Sequence, residues 1–286
     1  MPTNAEVERF IKDRMSNKMY NSMLRIDDYA FDEPLIGFSS ASDPLYPFYK
    51  KHIDENFYRL PEEWLKNVYG YDFDPSGVSI ISWCLPQTQR TRDATREIPD
   101  IPSMEWIMVR VHGEECNRAL AKAVETWFRE QGIEAVAPMT SIEFSWGDSE
   151  KFKIISNWSE RHTAFIAGLG TFGLDDALIS KRGKAVRYGS CIVNTKLEPS
   201  KREYTVYNEY CIAKDGCRAC IERCPAGALS EKGHDKLKCR AYTRDYVKKE
   251  VYERYGYQGF IACGLCQTGV PCEFGIPCKI KKENDE

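Results

Sequence analysis

The stretch that decides the fold is residues 210–279, which begins YCIAKDGCRACIERCPAGALS (210–230) and ends ACGLCQTGVPCEFGIPCK (262–279). It holds nine of the twelve cysteines of the 286-residue chain, namely Cys211, Cys217, Cys220, Cys224, Cys239, Cys263, Cys266, Cys272 and Cys278. Only three cysteines lie in the first two hundred residues. So dense a group of thiols predicts that they act together as ligands of metal–sulfur centres.

Bulk composition limits the classes of protein that this chain can belong to. The chain is 42% hydrophobic and carries a net charge of −3, so it has a normal core and no global attraction to nucleic acid or anionic membranes. No apolar run approaches the roughly 18 residues of a membrane span, and the charged start lacks a signal core. We expect a cytoplasmic protein with neither a membrane nor a nucleic-acid partner, in which clustered cysteines are ligands and not disulfides.

Three cysteines match a known ligand spacing. Cys217, Cys220 and Cys224, the last followed by Pro225, match the end of the two-cluster ferredoxin signature C-x2-C-x2-C-x3-C-P. In that signature the cysteine before proline ligates the other cluster. Five residues separate Cys211 from Cys217 where the signature has two, which makes Cys211 a less certain ligand of the same cluster.

The remaining cysteines predict a crossed assignment to two [4Fe–4S] clusters. The first cluster takes Cys211, Cys217, Cys220 and Cys272. The second cluster takes Cys224, Cys239, Cys263 and Cys266. Cys278 is spare or replaces Cys272. Zinc, which C-x2-C pairs also bind, is the alternative, but eight or more thiols with this spacing favour two clusters.

A glycine stretch precedes the cysteines. Residues 168–173, GLGTFG, match G-x-G-x-x-G, but the preceding SERHTAFIA (159–167) indicates a helix, whereas a dinucleotide site needs a strand there. Two interpretations remain. The glycines end a helix, or they let backbone lie close against a flat ligand. His162, just before them, is a candidate proton donor or a core histidine.

Patterning over residues 1–200 predicts one layered domain. We expect strands at 78–85, 106–111, 133–137 and 186–194, and helices at 5–24, 114–131 and 156–166. Residues 87–102 indicate a polar loop whose arginines, Arg90, Arg92 and Arg96, bind an anion or are solvated. This order predicts an α/β (α+β) domain at 1–200, with 1–76 as an N-terminal extension, and a separate domain at 201–286.

Taken in order, the motifs resemble those of epoxyqueuosine reductase and the related reductive dehalogenases. The resemblance covers about residues 77–278 and is carried by AGLGTFGLDDALIS (167–180), RYGSCIVNTKL (187–197), the cysteine run before Pro225, KCRAYT (238–243) and CGLCQTGVPC (263–272). It implies a nitroreductase-like N-terminal domain that holds a corrinoid, and a C-terminal bacterial-ferredoxin-like 2[4Fe–4S] domain.

The resemblance also implies a function. An external electron donor of the ferredoxin or flavodoxin type would feed two [4Fe–4S] clusters. These would reduce a corrinoid (cobalamin) in an oxygen-sensitive oxidoreductase that acts on a small molecule or a modified base. Residues implied in the corrinoid pocket are Gly168, Leu169, Gly170 and Gly173.

Two departures from the family leave the catalytic residues unassigned. Residues 153–157 are KIISN where epoxyqueuosine reductase has V-D-S-A-P with its catalytic acid. Leu174 and Asp175 stand where that enzyme has Lys-His. The missing acid favours an alternative function, an electron-transfer or corrinoid-handling protein without substrate chemistry of its own.

Overall fold

The computed structural model describes residues 1–23 and 26–278, and it confirms a mixed α/β fold. The first part of the chain contains α1 (Asn4–Ser16), β1 (Leu35–Ser40), α2 (Leu45–Ile53), α3 (Pro61–Tyr69), β2 (Ser79–Pro86), α4 (Gln89–Arg96), α5 (Met104–Met108), α6 (Glu114–Arg129), β3 (Ala135–Val136), β4 (Trp146–Ser149), β5 (Lys153–Ser156), α7 (Glu160–Ile166), β6 (Gly170–Phe172), β7 (Leu178–Ser180) and β8 (Val186–Val193). The cysteine-rich part contains α8 (Ala219–Glu222), β9 (Leu229–Ser230), β10 (Gly233–His234), α9 (Lys236–Tyr242) and α10 (Lys248–Tyr255).

The central sheet has four strands in the order β1-β2-β8-β3, and every neighbouring pair is antiparallel. Strands β2 and β8 form its centre and pair along their whole length, with Ile81 opposite Cys191. Both strands are rich in β-branched residues, and all eight residues of β2 are buried. The strands expected at 78–85 and 186–194 are therefore confirmed.

Successive side chains of β2 pack into two different apolar clusters, because side chains alternate between the two faces of a strand. Ile81 packs into one apolar cluster with Val124 and Phe128 of α6. Ile80 packs into another cluster with Phe165 of α7. The sheet thus lies between α6 on one face and α7 on the other, and α7 leads directly into the glycine stretch.

The expected strand at 106–111 is wrong. Residues Met104–Met108 form α5, which continues through a π-helical turn, Val109–Gly113, into α6. Ser103 caps this helix, since its side-chain oxygen accepts a hydrogen bond from the Trp106 backbone N–H at 3.1 Å. A short apolar run suits a buried helix as well as a strand, and here the cap and the joined helix decide between them.

Two further expectations need correction. The polar segment 87–102 contains helix α4, which Thr88 caps. Residues 1–76 are not an extension, because β1 pairs with β2 and Val7 of α1 lies in the core. Helix α1 ends at Ser16, and the expected helix end at Leu24 lies outside the described residues.

The cysteine-rich part contacts the first part through a helical segment. Helices α9 and α10 are joined by a π-helical turn, Thr243–Val247, and Val247 and Val251 belong to the α6-side core. The Tyr242 hydroxyl donates to the backbone oxygen of Asp100 at 2.9 Å. Across residues 1–23 and 26–278, no helix has the length and hydropathy needed to cross a membrane.

Candidate functional site

Four cysteines line one small cavity beside Gly173, the last residue of the glycine stretch. They are Cys211, Cys217, Cys220 and Cys272. These are the four cysteines that the sequence assigns to the first cluster. The walls include the apolar side chains of Ile179, Ile212 and Val270, and Lys184 is the charged residue of the lining. The structure therefore brings this predicted ligand set together.

The long spacing before Cys217 is accommodated by a tight turn. Residues Ile212–Asp215 form a 3₁₀ turn that ends at Gly216, whose φ of 98° lies in the left-handed region that favours glycine. The Cys217 backbone N–H then donates to the oxygen of Ile212 at 3.2 Å. The turn takes up the three extra residues, and Cys211 still lies beside the cavity.

The structure distinguishes between Cys272 and Cys278. Cys272 is half-buried and lines the cavity, whereas Cys278 is exposed and is not part of the lining. The segment around Cys272 is held by two backbone hydrogen bonds, from Lys184 N to Cys272 O at 2.9 Å and from Ala185 N to Glu273 O at 3.2 Å. This geometry favours Cys272 as the fourth ligand.

The other four assigned cysteines interact through their charges. They are Cys224, Cys239, Cys263 and Cys266. Burial raises the pKa of Cys263 to about 12, and negative charge at Cys239 and Cys224 adds to that rise. Burial also raises the pKa of Cys266 well above its usual range, with contributions from Cys263 and Cys239 among the smaller causes. Cys239 thus acts on both Cys263 and Cys266, and Cys224 acts on Cys263, which indicates that the four thiols lie near one another.

Two histidines differ in their role. The His234 Nδ1 lies 3.2 Å from Asp176 Oδ2, and the bond to Asp176, followed by one to Cys239, raises the pKa of His234 to about 9. His162 instead packs edge-on against Tyr49, and burial lowers its pKa to about 3. A neutral His162 fits the core interpretation better than the proton-donor one. His234 was not singled out from the sequence.

A buried ion pair connects the glycine stretch with the cavity. The Nζ of Lys184 lies 2.8 Å from Oδ2 of Asp175, and both side chains are only 1% exposed. The sequence analysis does not single out Lys184. The sequence feature that could have indicated this ion pair is Asp175, which stands where epoxyqueuosine reductase has a histidine.

The arginines of α4 have protein partners. The Arg96 Nη2 lies 2.5 Å from Oε1 of Glu273, and the Arg92 Nε lies 3.5 Å from the same oxygen. Glu273 is buried and also accepts from the backbone N–H of Gly269 at 2.6 Å. Both arginines hold the C-terminal cysteine segment through Glu273, Arg92 from a buried position and Arg96 from a partly exposed one.

The glycine stretch approaches other parts of the chain closely. A Cβ at Gly170 would lie 2.2 Å from the backbone oxygen of Ile179, in the neighbouring strand β7. Gly168 has a φ of 81°, and a Cβ there would lie 3.0 Å from the Lys201 oxygen. Leu169 is buried, and a Cβ at Gly173 would meet a side-chain oxygen of Asp175 at 2.9 Å. Packing within the protein accounts for these glycines, and their contact with a corrinoid stays a prediction.

The first cysteine group fits an iron–sulfur cluster. Soft thiolate donors around a cavity with apolar walls are what such a cluster requires. Within the described residues, no three His, Cys, Asp or Glu side chains converge on the position of one metal ion. The fit of the second group rests on its electrostatic coupling and on its place after the ferredoxin-type run.

Together these features define a chain of two parts, an antiparallel α/β layer and a cysteine-rich segment held beside its glycine stretch. No protein-family model matches the chain. The epoxyqueuosine reductase of Bacillus cereus is 31% identical over 123 residues, which is 41% of this chain and 30% of that relative. The chain therefore spans about a third of the length of that relative.

Solved structures show the same fold. A catabolic reductive dehalogenase with bound 3-bromo-4-hydroxybenzoic acid has a TM-score of 0.54 at 15% identity, over 85% of this chain and 30% of that one. An epoxyqueuosine reductase with an epoxyqueuosine-modified tRNA-Tyr stem loop has a TM-score of 0.51 at 16% identity, over 94% and 66%. The predicted resemblance to these two groups of proteins is confirmed.

Proposed function

We propose that this protein is an iron–sulfur reductase that passes electrons through two [4Fe–4S] clusters to an acceptor held by its α/β part. The observation that carries the proposal is the shared cavity of Cys211, Cys217, Cys220 and Cys272. Its cysteines come from positions up to 61 residues apart and meet beside Gly173 of the glycine stretch. The name of the Bacillus cereus relative, a reductase, supports an oxidoreductase activity.

Residues of this chain would hold the clusters and limit their contact with water. Each cluster, when bound, supplies one-electron transfer. Ile179, Ile212 and Val270 provide apolar walls to the first site. At the second site, Tyr242 is half-buried and interacts electrostatically with Cys263 and Cys224. Low exposure to water is one of the factors that set cluster potentials.

An external electron donor would dock where the second cluster comes nearest to the surface. Residues 236–256 contain seven basic and three acidic side chains, against a net charge of −3 for the whole chain. Lys238, Arg240 and Arg244 are exposed on this segment, which also carries Cys239. Such a basic face attracts an acidic donor, and ferredoxins and flavodoxins are the donor types proposed.

Cobalamin is the proposed acceptor, because the resembling family implies a corrinoid. The proposal of cobalamin rests on that resemblance, because contacts within the protein already account for the glycines. A small molecule or a modified base would be the substrate. The solved neighbour with bound tRNA stem loop supports the modified base, against our expectation that nucleic acid is not a partner.

A second function is favoured by one position. Ile154 stands on β5 where the resembling reductase has its catalytic acid. An apolar side chain cannot donate a proton, so an electron-transfer protein without substrate chemistry of its own is the alternative.

The test is anaerobic purification with iron, sulfide and cobalt analysis, followed by absorption spectra with and without added cobalamin. We expect about eight irons per chain, four for each cluster. Zinc in place of iron would contradict the cluster proposal. Full iron without any spectral change of cobalamin would remove the corrinoid and favour the electron-transfer alternative.

Epoxyqueuosine-modified tRNA and a halogenated phenol, offered with reductant, then separate the substrate classes. Turnover of one identifies the class. Turnover of neither, with both clusters reducible, favours the electron-transfer alternative. A Cys191→Ser variant is the matched control, since Cys191 is a buried residue of β8 outside both cysteine groups.

A further inference from the structure

The Asp175–Lys184 ion pair lies in an unusual place for two charges. Both side chains are 1% exposed, and their charged atoms are 2.8 Å apart. Removing two charges from water costs several kcal/mol per ion, and an apolar pair of similar size is often as stable. Stability alone therefore does not explain why this position carries charges.

The two ends of the pair face different surroundings. Lys184 lines the cavity together with Cys220 and Cys272, and its backbone N–H donates to the Cys272 oxygen. Asp175 is not part of that lining and follows the glycine stretch on the loop before β7. The positive end thus faces the first cysteine group.

We propose that the Asp175–Lys184 ion pair is an oriented dipole that sets unequal reduction potentials for the two clusters. A reduced cluster carries one more negative charge than an oxidised one. The Lys184 ammonium, which lines the cavity of Cys220 and Cys272, therefore stabilises reduction of the cluster there and gives it the higher potential of the two. The inference rests on the two-cluster proposal.

The dipole directs electrons toward the glycine stretch. With both clusters bound, the Lys184 ammonium would favour an added electron at Cys220 and Cys272, so that a one-electron oxidation at the second group would balance a one-electron reduction at the first. No bond forms or breaks, and no proton is needed. Asp175 and Lys184 act as positioning residues for the charge, since neither is proposed to be a cluster ligand.

The experiment is a reductive titration of the holoprotein followed by electron paramagnetic resonance. The Asp175→Asn/Lys184→Gln double variant removes the dipole without leaving an unpaired buried charge. We expect the equilibrium constant that favours the electron on the first group's cluster to fall about tenfold. This corresponds to a gap between the two midpoint potentials that is about 59 mV smaller. Iron content should stay at the wild-type value.

A matched control removes another ion pair. Lys50 of α2 and Glu63 of α3 form a pair with 2.6 Å between charged atoms, and neither helix contains a cysteine. The Lys50→Gln/Glu63→Gln variant should leave both potentials unchanged. The near-isosteric Asp175→Asn variant provides a second measurement, and it should raise the potential of the cluster at Cys220 and Cys272, because it leaves the Lys184 charge without its counter-charge.

The outcomes separate this inference from the proposed function. A wild-type protein without two reducible centres overturns both. Two centres whose gap is the same in the wild type and the variants, at full iron content, overturn the dipole alone. Loss of iron in the double variant, with unchanged potentials in Asp175→Asn, shows a structural role and also overturns it.

Discussion

Lys184 donates its backbone N–H to the carbonyl oxygen of Cys272 at 2.9 Å, and so joins the loop before β8 to the last cysteine of the cavity. The next residue along that segment, Glu273, is held by the arginines of α4. The cysteine-rich part is thereby attached to the α/β part at the point where its fourth thiol is needed. The variants proposed below test this attachment and its consequences.

The choice between two neighbouring thiols predicts different iron contents. Cys272→Ser should lower iron from about eight to about four per chain, because it removes one of four ligands of a cluster. Cys278→Ser should retain all of the iron, since Cys278 is exposed and outside the cavity. Iron and acid-labile sulfide analysis measures both. The reverse pattern would show that Cys278 is the ligand.

Removing the carboxylate of Glu273 should weaken the attachment of its segment. Glu273→Gln removes one carboxylate beside Arg92, which is 4% exposed and keeps Asp32 at 3.7 Å, so we expect a loss of up to about 3 kcal/mol. Denaturant unfolding measures the loss. Asp93→Asn is the control, because Asp93 pairs with Arg96 at an exposed site and should cost under about 1 kcal/mol. Equal effects of the two variants would contradict the prediction.

Stability should depend on pH through Glu160. Burial raises the pKa of this carboxyl from 4.5 to about 7 in the folded protein. Between these values the unfolded chain loses its proton while the folded chain keeps it, so stability falls as pH rises from about 4.5 through about 7.

The Glu160→Gln variant should be free of this loss, which amounts to about 2–3 kcal/mol at pH 8 relative to pH 4.5. Unfolding free energies of both proteins at the two pH values measure the difference. Glu198→Gln, at an exposed position, should behave like the wild type. A Glu160→Gln protein with the same pH profile as the wild type would refute the assignment.

Reversing charge on α9 and its π-helical turn should slow reduction by an acidic donor. Arg240→Glu/Arg244→Glu should lower the rate with a ferredoxin or flavodoxin about tenfold at low salt, since steering effects are of this size or larger. The difference should shrink at high salt, because exposed charges are screened. Lys51→Glu, on α2, is the control and should leave the rate unchanged. A salt-independent effect would indicate misfolding instead of docking.

Some strands and helices could be predicted because the spacing of apolar residues within each segment determines its secondary structure. Strands β2 and β8 are short, mainly apolar segments that include isoleucine or valine. Helix α6 has helical spacing that ends before Gly132, whose φ is 75°. The apolar run at 106–111 is too short for its pattern to separate helix from strand. The cap at Ser103 and the joined α6 decide it.

The residues of the site could be predicted only where cysteine spacing in the sequence matches a known ligand signature. The run Cys217, Cys220 and Cys224 has ligand spacing, and the crossed choice of Cys272 places it in the same cavity as its predicted partners. Arg96 and Glu273, by contrast, are 177 residues apart, so no local pattern reports their contact. The pairing of Asp175 with Lys184 likewise depends on the turn between β7 and β8.

The most direct test of the central claim is spin quantitation of the anaerobically purified, dithionite-reduced protein by electron paramagnetic resonance. Two reduced [4Fe–4S] clusters predict about two unpaired-electron centres per chain. Cys272→Ser should lose the signal of one centre, and Cys278→Ser should keep both. A protein that holds zinc at its cysteines and gives no signal after reduction would contradict the account.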